Sequence, residues 1–226
     1  MNSIKEELSQ KKHDFAHVTP FDLSKEPYYI FDLTESNQEL MAIDLNDEIL
    51  FTDYIFKTMK KENAVVGIGK YNENRTIYKR SEVFGGEESR SLHLGIDIWA
   101  KAGTPVYAPL AGHIHSFANN NQHGDYGPTI ILEHELGGII FYSLYGHLSK
   151  ISLNGITKGQ KVTQGEQIAL LGDYSENVHW PPHLHFQIIS DIGDYIGDFP
   201  GVAKPSEAAH WLERCPDPNL ILRMEI

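Results

Sequence analysis

Cysteine is almost missing from this sequence: of 226 residues, only Cys215 carries a thiol. An intramolecular disulfide is therefore excluded, and so is a zinc knuckle built on cysteines. Basic residues are few as well. Nineteen Lys and Arg face 31 Asp and Glu, for a net charge of −12, and no basic stripe is visible. Nucleic acid is not an expected partner, because phosphate binding needs clustered Lys and Arg. No apolar run approaches the roughly 20 residues of a membrane helix. The stretch Ile139-Ile140-Phe141-Tyr142 is bounded by Gly138 and Gly146. The first residues, through Lys12, mix charges and lack an apolar core, so they do not read as a secretory signal. The expectation is no membrane span and a cytoplasmic location, the simplest reading, although a single cysteine is also compatible with a bacterial periplasm.

What is present is an ordinary globular composition. Hydrophobic residues make up 41% and charged residues 22%, which excludes collagen-like and wholly disordered chains. Tyr28-Tyr29-Ile30-Phe31-Asp32-Leu33 reads as a strand. Asn46 and Asp47 are N-cap candidates for a helix running to about Lys61. Residues 64–69 and 76–78 suggest a hairpin around Asn72-Glu73-Asn74. The composition shifts near Gly85-Gly86-Glu87-Glu88, which divides the chain into a small N-terminal α+β region, 1–84, and a second unit, 85–226. That unit is a series of short strands at 96–99, 104–109, 112–117, 129–134, 139–144, 167–171 and 183–189. Gly, Pro and Asn turns separate them, which indicates a mainly β fold, an antiparallel sheet or sandwich. A short helix starting at Pro205-Ser206-Glu207 should end before Cys215.

Twelve residues are histidines, and two clusters have metal-ligand spacing: His93-x-Gly95-x-Asp97 and His183-Leu184-His185. On a regular strand, positions 93 and 97 share a face but lie about 13 Å apart. One ion with bonds near ~2 Å cannot reach both, so the chain must bend, and Gly95 is where a bend costs least. His183 and His185 share a face about 6–7 Å apart. One of the two can coordinate while its neighbour stands beside the ion, free to move protons. Two imidazoles and one carboxylate suit zinc or another divalent ion, and three protein ligands leave an open position, as at catalytic sites. His147 follows the apolar strand Tyr142-Ser143-Leu144-Tyr145-Gly146, where a side chain can reach into a groove.

These motifs, in this order, resemble the lysostaphin/LytM-type zinc metallopeptidases: His93-x-Gly95-x-Asp97, Tyr145-Gly146-His147-Leu148-Ser149 and Pro182-His183-Leu184-His185-Phe186. The intervening Gly103-Thr104-Pro105-Val106-Tyr107-Ala108-Pro109 and Gly159-x-x-Val162-x-x-Gly165-x-x-Ile168-Ala169-x-x-Gly172 are similar too. The resemblance covers about residues 90–190. It implies an antiparallel-sheet, duplicated-hybrid-motif-like metallopeptidase core in 85–226. It also implies zinc on His93, Asp97 and His185, His147 and His183 as the catalytic pair, and a peptide or peptidoglycan-like substrate cut by metal-activated water. A narrower resemblance rests on Asp125-Tyr126-Gly127-Pro128, Asp198-Phe199-Pro200-Gly201 and Cys215-Pro216-Asp217-Pro218. It is to the peptidase-like module found fused to class III aminotransferases, and it implies an alternative: a metal-binding module, or a hydrolase of small amides without a cell-wall role.

The remaining candidates read as structural. His113-x-His115 has no acidic residue at cupin spacing after it. His123, His134 and His179 are expected on loops or the sheet surface, with His179 able to rim the groove. Tyr145 is expected to pack, Glu133 and Glu135 to be solvated, and Cys215 to be a buried thiol without a basic partner. Residues 1–80 are expected to form a small α+β cap packing on the sheet; the alternative, by analogy with inhibitory pro-segments of that family, is that they partly cover the groove.

Overall fold

Alternation along most of two short segments, broken by Trp99 and Ile189 at their ends, sets the architecture. In Ile96-Asp97-Ile98-Trp99 and in His183-Leu184-His185-Phe186-Gln187-Ile188-Ile189, one face is aliphatic or aromatic and the other carries the polar groups, so each strand must bury two different faces. The computed structural model describes residues 3–11, 13–45, 47–80, 88–122 and 125–226. The boundary expected at Gly85, the N-cap candidate Asn46 and the loop residue His123 lie outside the described residues.

Helix α1 (Ile4–Gln10) begins at Ser3 with a capping box to Glu6. Strand β1 (Tyr28–Phe31), α2 (Gln38–Met41), α3 (Glu48–Lys61) and β2 (Val66–Gly69) follow. Helix α3 starts where Asp47 accepts from the backbone of Ile49 and Leu50. Then come β3 (Leu92–His93), β4 (Ile96–Trp99), β5 (Pro105–Tyr107), β6 (Gly112–Asn120), β7 (Gly127–Leu136) and β8 (Ile139–Gly146). β7 and β8 are joined by Gly137-Gly138, both at positive φ, the two-residue turn that matches strand twist. β9 (Lys161–Val162), β10 (Gln167–Leu170), β11 (His183–Ile189), β12 (Val202–Ala203), α4 (Ala208–Arg214) and α5 (Asn219–Leu222) complete the chain.

Eight strands form one sheet in the order β1-β2-β4-β11-β8-β7-β6-β9. All pairings are antiparallel except β1 with β2. The mainly β, antiparallel architecture thus agrees with the sequence. The hairpin expected across residues 64–78 does not form. β2 pairs instead with β1 and β4, and residues 77–80 make a 3-10 turn. Asn72 sits at φ 56° and donates its N–H to the His93 carbonyl, which carries the chain toward β3 instead of back along β2.

One sheet face carries Ile96, Ile98, Leu132, Leu184, Phe186 and Ile188, covered by α1 and the segment through Leu23. The other face is covered at one end by α3 through Phe31, Phe51, Ile55 and Trp99, and at the other by Leu94, Ile189, Phe199 and Cys215. A cavity remains between those two covers.

His134 departs from the expected surface position. It is 2% exposed, its Nδ1–H donates to the Ala111 carbonyl at 3.0 Å, and its Nε2 accepts from the Ser143 hydroxyl at 2.7 Å. Burial, partly offset by the Ala111 bond, lowers its pKa to about 4. The unfolded chain takes up this proton near pH ~6.5, the folded chain only near 4. Stability is therefore lost as pH falls between those values, by about 3 kcal/mol in full. His134→Gln should flatten urea-derived stability against pH across that window; a slope equal to that of the unmodified chain would contradict this origin.

Candidate metal centre

The bend expected at Gly95 exists, and its cause is visible. β3 leaves the large sheet to pair with β12, whereas β4 stays in it. A Cβ on Gly95 would lie 2.6 Å from the His185 ring and 2.8 Å from the Phe186 carbonyl oxygen. Only glycine allows that imidazole to lie over the backbone. Across the β4–β11 ladder, Asp97 stands opposite His185 and Trp99 opposite His183. The register therefore delivers one ligand pair and one supporting pair side by side.

Three side-chain atoms converge. His93 Nε2 lies 3.0 Å from His185 Nδ1, and Asp97 Oδ1 lies 3.3 Å from the first and 3.1 Å from the second. The hydrogens of both rings are committed elsewhere. His93 Nδ1–H donates to the Lys70 carbonyl at 2.8 Å, which can only accept. His185 Nε2–H donates to Gln187 Oε1 at 2.9 Å, and that amide is oriented because Gln187 Nε2 donates to the Pro200 carbonyl and to Cys215 Sγ. Three lone pairs consequently face one another in a buried space. Such a cluster repels itself unless a cation lies among them. Tetrahedral zinc with bonds near ~2 Å places its ligands about 3.3 Å apart, so the donor set fits the ion in kind and spacing.

The protein holds these groups in their coordinating forms. Burial, then the Arg75 charge, brings His93 down to about 3, so it is neutral. Burial works against ionisation of Asp97, yet the facing imidazoles and the Arg75 guanidinium hold its carboxyl well below the usual carboxylate range.

The two other predicted histidines stand beside this triad. His183 donates Nδ1–H to the Pro181 carbonyl at 2.7 Å, which leaves Nε2 bare and 3.9 Å from Asp97 Oδ1. Its ring stacks on Trp99 at 4.2 Å, and burial lowers its pKa to about 4. His147 lies 4.0 Å from His183 between ring centres. It is buried, Nδ1 has no partner, and burial followed by the neighbouring histidines holds its pKa well below the ordinary value. His147 is at φ 61°, strained for a residue with a Cβ. It is pinned there because its N–H donates to the Tyr126 carbonyl and its carbonyl accepts from Gly172. A cavity of about 370 Å³ opens over Asp97, His147, His183 and His185, within the size range of small-ligand and cofactor pockets.

Sequence reasoning missed the residues behind the ligands. Arg75 is buried and donates Nη1–H to Asp97 Oδ2. Gln187 fixes His185, and Cys215, indeed buried and with its thiol pushed up to about 12 by burial, helps to hold Gln187. The signal for Arg75 was Gly67-x-Gly69: a Cβ on Gly69 would lie 2.6 Å from Arg75 Nη2. His113 pairs with Glu133 at 3.2 Å, His179 with Glu48, and Tyr145 lies in the core, all outside the triad.

The model of Peptidase family M23 matches residues 91–196. The chain is 39% identical over 95 residues to an uncharacterized metalloprotease of Haemophilus influenzae, covering 42% of this chain and 18% of that one. It is 32% identical over 181 residues to the peptidoglycan DD-endopeptidase ShyB of Vibrio cholerae, covering 75% of this chain and 40% of that one. Among solved structures, the catalytic domain of lysostaphin from Staphylococcus simulans is 28% identical with a TM-score of 0.38, covering 54% of this chain and 83% of that one. The chain thus spans less than half the length of these two curated relatives. The stretch from residue 91 to 196, which matches the Peptidase family M23 model, supplies the triad and both histidines beside it.

Proposed function

We propose that this chain is a zinc-dependent endopeptidase that hydrolyses an amide bond in a peptidoglycan-type peptide. The observation that carries the reading is the set of three converging lone pairs, with every competing hydrogen already donated elsewhere. His93, Asp97 and His185 hold the ion. Zinc supplies Lewis-acid chemistry in such a site: it polarises a carbonyl and acidifies water.

The chain's own residues do the rest. His183 presents an unprotonated Nε2 at neutral pH and accepts the proton of the attacking water. Stacking on Trp99 keeps that ring from turning away. His147, one ring distance further, donates a hydrogen bond to the oxyanion that develops on the scissile carbonyl, and His183 passes the proton it has taken to the leaving amine. Burial, with the Asp198 charge nearby, pushes Asp125 on the cavity wall up to about 6. Asp198 and Arg90 share that wall, so it meets a substrate segment with charges of both signs.

The named activity of ShyB supports a peptidoglycan substrate. Within the family we assign the chain to the branch resembling the module fused to class III aminotransferases, on the motifs at Asp125, Asp198 and Cys215. For that branch a small peptide or amide is the alternative substrate. Purified sacculi and short glycine-containing peptides, each incubated with and without chelator, separate the two. We expect cleavage that chelator abolishes and added zinc restores. If the zinc-saturated chain left both substrates intact, the peptidase reading would fall.

A further inference from the structure

The family match begins at residue 91, yet two of the groups that orient the triad lie ahead of it. The Lys70 carbonyl accepts from His93 Nδ1, which directs Nε2 into the centre. Arg75 donates from Nη1 to Asp97 Oδ2 at 2.5 Å, which leaves only Oδ1 to face the two imidazoles. Arg75 itself is locked. Its Nε donates to Glu73 Oε2 at 3.0 Å, Nη1 to the Tyr78 hydroxyl at 3.0 Å and Nη2 to the Lys70 carbonyl at 3.1 Å. Its side chain is fully buried, and Gly69 leaves the space it fills.

From this arrangement we propose that Arg75 and the Lys70 carbonyl are positioning groups for Asp97 and His93, so that residues 66–78 are part of the support of the metal centre and not a removable cover over it.

A guanidinium this close to a cation also repels it, which alone would weaken binding. Glu73 offsets that charge from the opposite side of Arg75. Orientation is what remains. Arg75 keeps Asp97 from rotating both oxygens toward the ion, and it prevents the carboxylate from being left buried with one oxygen unpaired. The segment at 66–69 reaches the site through the sheet itself: Gly69 stands opposite Asp97 in the β2–β4 ladder. By contrast, residues 4–23 bury Ile4, Leu8, Phe15, Val18 and Leu23 in the cluster on the opposite sheet face, away from the groove.

The inference rests on the triad binding zinc, and the test keeps the two apart. The full chain and its Arg75→Gln variant are stripped of metal and titrated with zinc against a chromophoric chelator, and each is also loaded with cobalt for its visible spectrum. We expect Arg75→Gln to bind zinc about 10- to 100-fold more weakly and to give an altered cobalt spectrum. Arg75→Lys, which keeps the charge but not the fork, should recover only part of the affinity. If Arg75→Gln fails to fold, the charge-balanced double variant Glu73→Gln with Arg75→Gln replaces it under the same expectation. Unchanged or tighter zinc binding with an unchanged cobalt spectrum in a folded variant would overturn the positioning role alone. No zinc binding by the unmodified chain would overturn the metal reading and this inference with it.

Discussion

Asp97→Ala is expected to abolish zinc binding and hydrolysis together and to lower the stability of the metal-free chain by about 3–5 kcal/mol. No other ligand change should act on both so strongly. Asp97 Oδ1 is the only carboxylate donor of the triad, and without it two imidazoles 3.0 Å apart face an open position. The second loss comes from the other oxygen. Arg75 is wholly buried and divides its charge between Glu73 and Asp97. Removal of one partner leaves half of a desolvated guanidinium uncompensated. Asp97→Asn separates the two effects: the amide oxygen still accepts from Arg75 but brings no charge, so only the hydrogen-bond part of the stability should return, whereas metal should not. Metal analysis of the purified variants and urea unfolding without metal provide the measurements. Stoichiometric zinc on Asp97→Ala would show that the carboxylate is not a ligand.

His183→Ala and His147→Ala should show the opposite pattern, with zinc retained and turnover reduced by about 10²- to 10⁴-fold each. His183 Nε2 stands 3.9 Å from Asp97 Oδ1, outside the triad, and its Nδ1–H is held by the Pro181 carbonyl. Its removal leaves the three ligand atoms and their supports in place. The loss should appear in kcat and kcat/KM alike, because a proton-transfer group acts in the transition state and contributes little to ground-state binding. If His183→Ala released the ion while His185→Ala kept it, the roles within the pair would be reversed.

Much of this centre was legible in the chain because it depends on strand periodicity. His183 and His185 had to share a face, and the 93–97 spacing could serve one ion only if Gly95 bent; β3 and β4 do diverge there. The supports were illegible for the converse reason. Arg75 lies 22 residues before Asp97 and Cys215 lies 28 after Gln187, and no local period links such pairs. The same limit explains the false hairpin over 64–78, where local turn chemistry favoured a reversal. The partners of β2 come instead from residues 28–31 and 96–99, and only the sheet reveals them. His134 looked like a surface residue because its partners are distant in sequence: Ala111 just before β6, and Ser143 on β8.

The position of β11 has a consequence for how the molecule is built. It is the last strand of the large sheet in the sequence, yet it lies in the interior, between β4 and β8. A nascent chain that ends before residue 183 therefore holds two half-sheets, β1-β2-β4 and β8-β7-β6-β9, each with an unpaired edge rich in aliphatic and aromatic side chains. Such edges recruit one another between molecules. Arrival of the final strand closes both edges in one event and, in the same event, brings His185 to Asp97 and His93.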